Sequence, residues 1–186
     1  MPARFPYLAT AALLCLLLAS MVPSAVATEA AWARIQSGGY TILLQAGETP
    51  RAAAQPGDDE CSGRVLSDRG HQLAQKLGAR FAARSIRIEK LLTSSSCAAR
   101  ETARLSFGSV AAEVLPSLDT GADQQQTEAL RAAINTFQGK GNLVIMTDRN
   151  HIAALTGITP RPSEAVVVAP AKDGQTINVA GRIIFD

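Results

Sequence analysis

The segment Gly39-Tyr40-Thr41-Ile42-Leu43-Leu44-Gln45-Ala46-Gly47-Glu48-Thr49 decides the fold of this chain. Residues 40–45 form a continuous, mostly apolar run, which is typical of a strand that other elements cover on both faces. Residues 47–66 are rich in Gly, Pro, Asp and Arg without periodicity, and they predict a surface loop. The segment therefore predicts a buried strand that ends at the edge of a sheet, with Gln45 and Ala46 at its end.

Strands and helices alternate along the rest of the chain. Capping serines and apolar residues at helical spacing predict helices over 67–83, about 96–107, around 130–137 and 151–156. Short apolar runs predict strands at 90–93, 113–115 and 142–147, and a closing hairpin of 165–169 with 177–184. This order predicts an α/β three-layer sandwich, in which helices flank a mostly parallel sheet with a C-terminal antiparallel hairpin.

Residues 1–27 are predicted to be a secretory signal peptide. Arg4 is their only charge, residues 8–18 are an apolar run, and Ala-Val-Ala at 25–27 predicts cleavage before Thr28. The apolar run is short for a membrane span, and an uncleaved anchor is the alternative. We therefore expect one periplasmic or secreted domain, residues 28–186, with no membrane span after cleavage.

Charge and cysteine content narrow the possible partners. The signal peptide removes one of 18 basic and none of 16 acidic residues, which leaves 17 against 16. This near-neutral balance gives no electrostatic reason to expect nucleic acid as a partner. Cys61 and Cys97 remain, and in an oxidising compartment they predict a disulfide, with two buried thiols as the alternative. No metal or cofactor is predicted, because no CxxC motif or histidine cluster accompanies them.

Three segments at predicted strand ends resemble the histidine phosphatase, or phosphoglycerate-mutase-like, superfamily. In that superfamily the first strand ends in Arg-His-Gly, which Glu-Thr often follows. Here the corresponding residues are Gln45-Ala46-Gly47, and Glu48-Thr49 follows them. Residues 93–103 resemble Ser-Ser-Pro-x-Cys-Arg-Ala-x-Glu-Thr-Ala, and 141–151 resemble Gly-Asn-x-Val-x-x-Gly-His-Gly-x-Asn. Residues 61–70 resemble the loop Cys-x-x-Arg-x-Leu-Ser-x-x-Gly. The resemblance covers about 32–186 and implies a phosphate pocket at the strand ends.

All four pocket positions that the resemblance identifies are substituted. Gln45 stands in place of an arginine and Ala46 in place of the histidine that takes the phosphoryl group. Ala98 falls on the phosphate-binding arginine, and Asp148 falls on the second catalytic histidine. Alanine has no lone pair to attack phosphorus, and two guanidinium forks for phosphate are lost. We therefore expect a protein without phosphohistidine activity, a pseudophosphatase with a binding or scaffold role.

The expected ligand is an unidentified small molecule or protein. Its candidate binding residues are Gln45, Gly47, Ser94, Ser95, Asp148 and Arg149.

One alternative is a hydrolase of a phosphate or non-phosphate ester, with a rebuilt site of Ser94, Ser95, Asp148 and His151. No G-x-S-x-G elbow surrounds these serines, and serines before a helix also serve as caps. The other alternative is a filled pocket, with the function on an outer surface.

Overall fold

The computed structural model of the chain describes residues 24–50, 61, 65–119, 121–171 and 176–185. The helices are α1 Ser24–Ser37, α2 Asp68–Ala83, α3 Cys97–Phe107, α4 Gln124–Thr136 and α5 Arg149–Thr156. The strands are β1 Thr41–Gln45, β2 Ile88–Thr93, β3 Ala112–Val114, β4 Asn142–Thr147, β5 Glu164–Pro170 and β6 Ile177–Ile184. A 3-10 helix, Pro116–Leu118, follows β3. Within these residues, no helix combines the length and the apolar character needed to cross a membrane.

The strands form one sheet in the order β3-β2-β4-β1-β5-β6. Strands β3, β2, β4 and β1 are parallel, whereas β5 pairs antiparallel with both β1 and β6. The expected mostly parallel sheet with a C-terminal antiparallel hairpin is thus confirmed. The predicted turn of that hairpin, 172–174, lies outside the described residues. Since four strands run in one direction, their C-terminal ends meet at one edge of the sheet.

Helices cover both faces of the sheet. In β1, Ile42 and Leu44 pack into one core with α1, α2 and α3, whereas Leu43 packs into a second core with α4 and α5. Successive side chains of a strand point to opposite faces, so a strand buried on both faces needs apolar residues throughout. This explains the continuous run in the sequence and confirms the three-layer sandwich.

Several element boundaries differ from those predicted. Strand β2 begins two residues earlier, at Ile88, because its half-exposed start carries polar residues that hide the strand pattern. Strand β3 ends at Val114 rather than at residue 115. Helix α5 begins at Arg149, since the Asp148 side chain caps it. Residues 51–60 and 62–64 of the predicted loop lie outside the described residues.

Helix α1 was not predicted, and it supplies part of the core. It begins at Ser24 and crosses the position where cleavage is predicted, before Thr28. Trp32 is 2% exposed, and its ring lies edge-on to Phe81 at 5.3 Å and to Phe185 at 5.9 Å between ring centroids. The part of α1 that follows the predicted cleavage position therefore belongs to the folded domain.

Candidate functional site

The residues that follow β1 and β2 stay paired with the end of β4. The Ala46 N–H donates to the Thr147 carbonyl at 3.0 Å, and the Ser94 N–H donates to the Met146 carbonyl at 3.1 Å. These bonds hold the residues that follow β1 and β2 on either side of the last residues of β4. As a result, residues that are far apart in sequence meet at the C-terminal edge of the sheet.

A pocket of about 250 Å³ lies at this edge, and we call it the strand-end pocket. Its lining residues come from the ends of β1, β2 and β4 and from the end of the 3-10 helix: Ala46, Ser94, Ser95, Ser96, Leu118, Asp119, Thr147 and Asp148. Of the described residues that line it, none is Arg, Lys or His. The pocket therefore holds two carboxylates and three serines where the sequence resemblance implies a phosphate site.

Asp119 is the lining residue that sequence reasoning missed. It follows the 3-10 helix, and its N–H donates to the Pro116 carbonyl at 3.0 Å. Its carboxylate accepts hydrogen bonds from the Ser95 N–H at 2.6 Å and from the Ser95 hydroxyl at 2.8 Å. The sequence signal that could have identified Asp119 was an acidic residue shortly after a predicted parallel strand. The Asp119 carboxylate thus fixes Ser95 in the pocket wall.

The other two serines are tied to the start of α3. Ser96 caps this helix, since its hydroxyl accepts from the Ala99 N–H at 3.2 Å. The Ser94 and Ser96 hydroxyl oxygens are 3.1 Å apart and share a hydrogen bond. Capping thus accounts for Ser96, and Ser94 is held by Ser96.

Asp148 and His151 are close together, but only Asp148 lines the pocket. The Asp148 carboxylate caps α5 by accepting from the His151 N–H at 2.8 Å. The imidazole of His151 is fully buried, and its Nδ1 lies 3.1 Å from Asp148 Oδ1 without the alignment of a hydrogen bond. Neither ring nitrogen has a hydrogen-bond partner among the described residues. Ser94, Ser95 and Asp148 therefore share the pocket, while His151 makes no hydrogen bond to either serine.

The remaining sequence candidates lie beside the pocket or outside it. Gln45 and Gly47 line a separate cavity of about 50 Å³, which adjoins the strand-end pocket because Ala46 lines both. Gln45 Oε1 is buried in that region without a hydrogen-bond partner among the described residues. Ala98 lines neither cavity, and Arg149 is exposed and likewise lines neither.

The predicted disulfide is present at the start of α3. Cys61 and Cys97 are bonded, with their Cα atoms 5.2 Å apart. The bond closes a separation of 36 residues, and closing such a loop stabilises a fold by roughly 3–4 kcal/mol in the chain-entropy model.

Glu164 lines the smaller cavity and is 2% exposed. Its carboxylate accepts from the Arg161 N–H at 2.9 Å and from Arg182 Nε. Burial raises the pKa of Glu164, but the hydrogen bonds from Arg182 and Arg161 and their charges outweigh burial and hold the pKa below its ordinary value. Glu164 is therefore an ionised structural residue that joins β5 to β6.

Replacing Arg182 with methionine is expected to destabilise the protein mainly above the ordinary pKa of glutamate, about 4.3. A lowered folded-state pKa contributes stability above that pH, and this contribution disappears as pH falls through the folded-state value. We expect Arg182→Met to cost about 1–2 kcal/mol near pH 7, because Arg182 is half-exposed and solvent screens the pair, and clearly less near pH 3. Urea unfolding at both pH values measures this.

The matched control is Arg104→Met, which breaks the more exposed Arg104–Glu101 pair on α3. It should change stability much less at either pH. An equal cost of Arg182→Met at the two pH values would contradict an ionised Glu164.

No protein-family model matches the sequence, and no curated protein matches it. Solved structures do match the fold. The protein histidine phosphatase SixA complexed with tungstate has a TM-score of 0.60 and 20% identity, covering 78% of this chain and 96% of that chain. The alpha-ribazole phosphatase from Shigella flexneri has a TM-score of 0.57 and 16% identity, covering 79% and 96%.

A third similar structure is a histidine-to-alanine mutant of phosphoserine phosphatase from Entamoeba histolytica, in complex with phosphoserine. It has a TM-score of 0.52 and 12% identity, and the match covers 75% of this chain and 94% of that chain. This chain therefore has the fold of the histidine phosphatase superfamily, as the resemblance of its strand-end motifs implied.

Proposed function

We propose that this protein is an exported, non-catalytic relative of the histidine phosphatases that binds a ligand other than a phosphate ester. The observation that carries the proposal is the lining of the strand-end pocket. An open pocket is present at the sheet edge where this fold is expected to hold phosphate, but its polar lining side chains are carboxylates and hydroxyls. Because the pocket is open, a ligand-binding role is favoured over the alternative of a filled pocket with the function on an outer surface.

The charge of the pocket disfavours a phosphate group. Asp119 and Asp148 both line the pocket, and two unit charges 4 Å apart interact by on the order of 4 kcal/mol at an effective dielectric near 20. The same carboxylates attract ligands that donate hydrogen bonds. Each keeps acceptor capacity beyond the bonds to Ser95 and to the His151 N–H. An ammonium or guanidinium group suits this pocket better than a phosphate.

Loss of catalysis and retention of binding are compatible on this fold. Ala46 lines the pocket where the phosphoryl acceptor would stand, and it offers no nucleophile. The phosphoserine complex of the histidine-to-alanine mutant supports the idea that binding can outlast the loss of a histidine. The alternative Ser/Asp/His hydrolase receives no such support, because His151 is buried and its ring nitrogens make no hydrogen bond to a serine hydroxyl among the described residues.

Export is supported by the signal-like residues 1–27 and by the disulfide, since disulfides persist mainly in oxidising compartments. Cleavage before Thr28 would leave Trp32 and the other buried side chains of α1 in the mature domain.

The full chain, expressed in a bacterial host and recovered from its export compartment, provides the test. We expect an intact mass that begins at Thr28, no hydrolysis of para-nitrophenyl phosphate, no acid-labile phosphoprotein and no heat of binding with tungstate. We expect agmatine, a probe with an amine and a guanidinium group, to bind instead. Turnover that Asp148→Asn or His151→Gln abolishes would overturn the proposal, and so would tighter binding of tungstate than of agmatine.

Two matched variants locate the binding. Asp148 and Asp123 both cap helices, and asparagine preserves capping at either position. Asp148→Asn removes a charge from the pocket and should weaken agmatine binding roughly three- to tenfold. Asp123→Asn, which lies outside the pocket, should leave it unchanged. Equal effects of the two variants would show that agmatine does not bind in the strand-end pocket.

A further inference from the structure

We propose that the Cys61–Cys97 disulfide is a thiol-exchange site, which a dithiol reductant opens with Cys97 as the leaving thiolate. The inference does not depend on the strand-end pocket or its ligand. It depends on where the two sulfurs lie, which groups surround them and which backbone holds them.

Both cysteines are accessible from a groove at the surface. The groove has a volume of about 310 Å³, and its lining includes Cys61, Cys97, Thr93, Arg100, Arg104 and Val114. Each cysteine residue is partly exposed rather than buried in either core. A thiolate can therefore approach the sulfurs, which a disulfide inside a packed core would prevent.

The start of α3 favours negative charge on Cys97. Cys97 is the first residue of this helix, and Ser96 precedes it as the cap. The unpaired N–H groups and the dipole of a helix N-terminus stabilise a thiolate there. Cys97 is therefore the better leaving group of the pair.

A cation stands beside the other sulfur. Arg100 Nη1 lies 3.8 Å from Cys61 Sγ, close enough to attract the negatively charged thiolate that attacks Cys61. Glu101 also lines the groove, but Arg104 holds its carboxylate through two hydrogen bonds of 2.7 Å. Arg104 thus offsets the carboxylate, while Arg100 remains directed at the disulfide.

The backbone conformation of Cys61 is a further reason to expect the disulfide to open. Its φ angle is +71°, in the left-handed region that residues with a side chain seldom adopt. Opening the disulfide removes one constraint that keeps position 61 in this conformation. Reduction therefore leaves position 61 free to return to a more common backbone conformation.

The exchange balances as a two-electron reduction of the protein. One thiolate of the dithiol attacks Cys61 Sγ, the Cys61–Cys97 bond breaks, and its electron pair passes to Cys97 Sγ. The second thiolate of the reductant then attacks the reductant's own sulfur in the mixed disulfide. This releases Cys61, which takes up a proton, and leaves the reductant as a cyclic disulfide.

The test measures reduction of the oxidised protein by dithiothreitol at neutral pH, with thiols trapped and counted by mass spectrometry. We expect the folded protein to react at least about tenfold faster than the same chain unfolded in guanidinium chloride, because helix and guanidinium act only in the fold. An equal or slower rate in the folded protein would overturn the proposal. Arg100→Gln should slow the folded protein roughly threefold or more. Arg87→Gln, at the opposite end of β2, should not change the rate, and equal slowing by both variants would exclude a role for Arg100.

A second measurement assigns the leaving group. In the reduced protein at about pH 6, we expect iodoacetamide to modify Cys97 at least about tenfold faster than Cys61. Cys97 begins a helix, whereas the Arg100 guanidinium beside Cys61 is exposed and solvent screens its charge. Equal rates, or faster modification of Cys61, would overturn the assignment.

Discussion

The combined variant Gln45→Arg, Ala46→His, Ala98→Arg and Asp148→His is expected to bind tungstate, which the unmodified protein should not bind. It adds two guanidinium groups and removes one carboxylate at the strand ends. Each such charge interaction is worth on the order of 4 kcal/mol at 4 Å and an effective dielectric near 20. Even if solvent screens two thirds of each charge interaction, we expect the affinity for tungstate to rise at least about a thousandfold. Calorimetric titration with tungstate measures this gain.

The four positions should contribute unequally. Ala46 and Asp148 line the strand-end pocket, whereas Gln45 lines the adjoining cavity and Ala98 lines neither. The pair Ala46→His with Asp148→His should therefore act on the pocket directly, and the arginines should add most of the affinity by reaching in from either side. Binding that appears only with all four changes would show that the pocket wall has kept the geometry of a phosphate site.

A charge control and a stability check make this result interpretable. Gln125→Arg with Ala132→Arg adds the same two charges at exposed positions of α4, and it should not bind tungstate. Loss of the Asp148 cap should cost about 1 kcal/mol, so the thermal midpoint is measured alongside. If the variant with all four substitutions folds but does not bind tungstate, the result would contradict the view that these side chains account for the absence of phosphate binding.

Trp32→Ala is expected to destabilise the domain by about 3–5 kcal/mol. Its ring packs edge-on against Phe81 and Phe185, and the Arg84 guanidinium carbon lies 4.4 Å from the ring centroid. Domains of this kind have about 5–15 kcal/mol of stability in total, so much of it should be lost. Urea unfolding of the chain that begins at Thr28 measures the cost.

The control for this variant is Ala33→Gln, at the next residue of α1. Ala33 is exposed, and glutamine is a good helix former, so the free energy of unfolding should change by less than about 0.5 kcal/mol. If Trp32→Ala costs no more than Ala33→Gln, α1 contributes little to the core and the stable domain begins at β1.

The layers of the fold were predictable because its strands and helices carry local signals. Strand β4 was predicted with its observed ends, 142–147, since every residue in it is buried and the four residues between Asn142 and Thr147 are apolar. Ser67 was recognised as the cap of α2, and its hydroxyl accepts from the Gly70 N–H. Helix α1 escaped prediction because few of its residues are large and apolar, and its burial depends on contact with β6 and the aromatic core.

The site was predictable only in part. Ser94, Ser95 and Asp148 line one pocket, because each follows a parallel strand of the same sheet. That they bind a ligand stays a prediction. Asp119 was missed because its position depends on a 3-10 turn and on its bonds to Ser95. The alternative hydrolase site also included His151, but this residue is fully buried and does not line the pocket.

Residue identity alone established that positions 45, 46, 98 and 148 carry neither histidine nor arginine, because that fact does not depend on how the chain folds. The loss of phosphohistidine chemistry is expected on that basis. The tertiary structure decided which side chains line the pocket in place of the missing histidines and arginines. Charge in a pocket depends on distances between residues far apart in the chain. Only the folded chain brings Asp119, after the 3-10 helix, beside Ser95, after β2, and both into one pocket with Asp148, after β4.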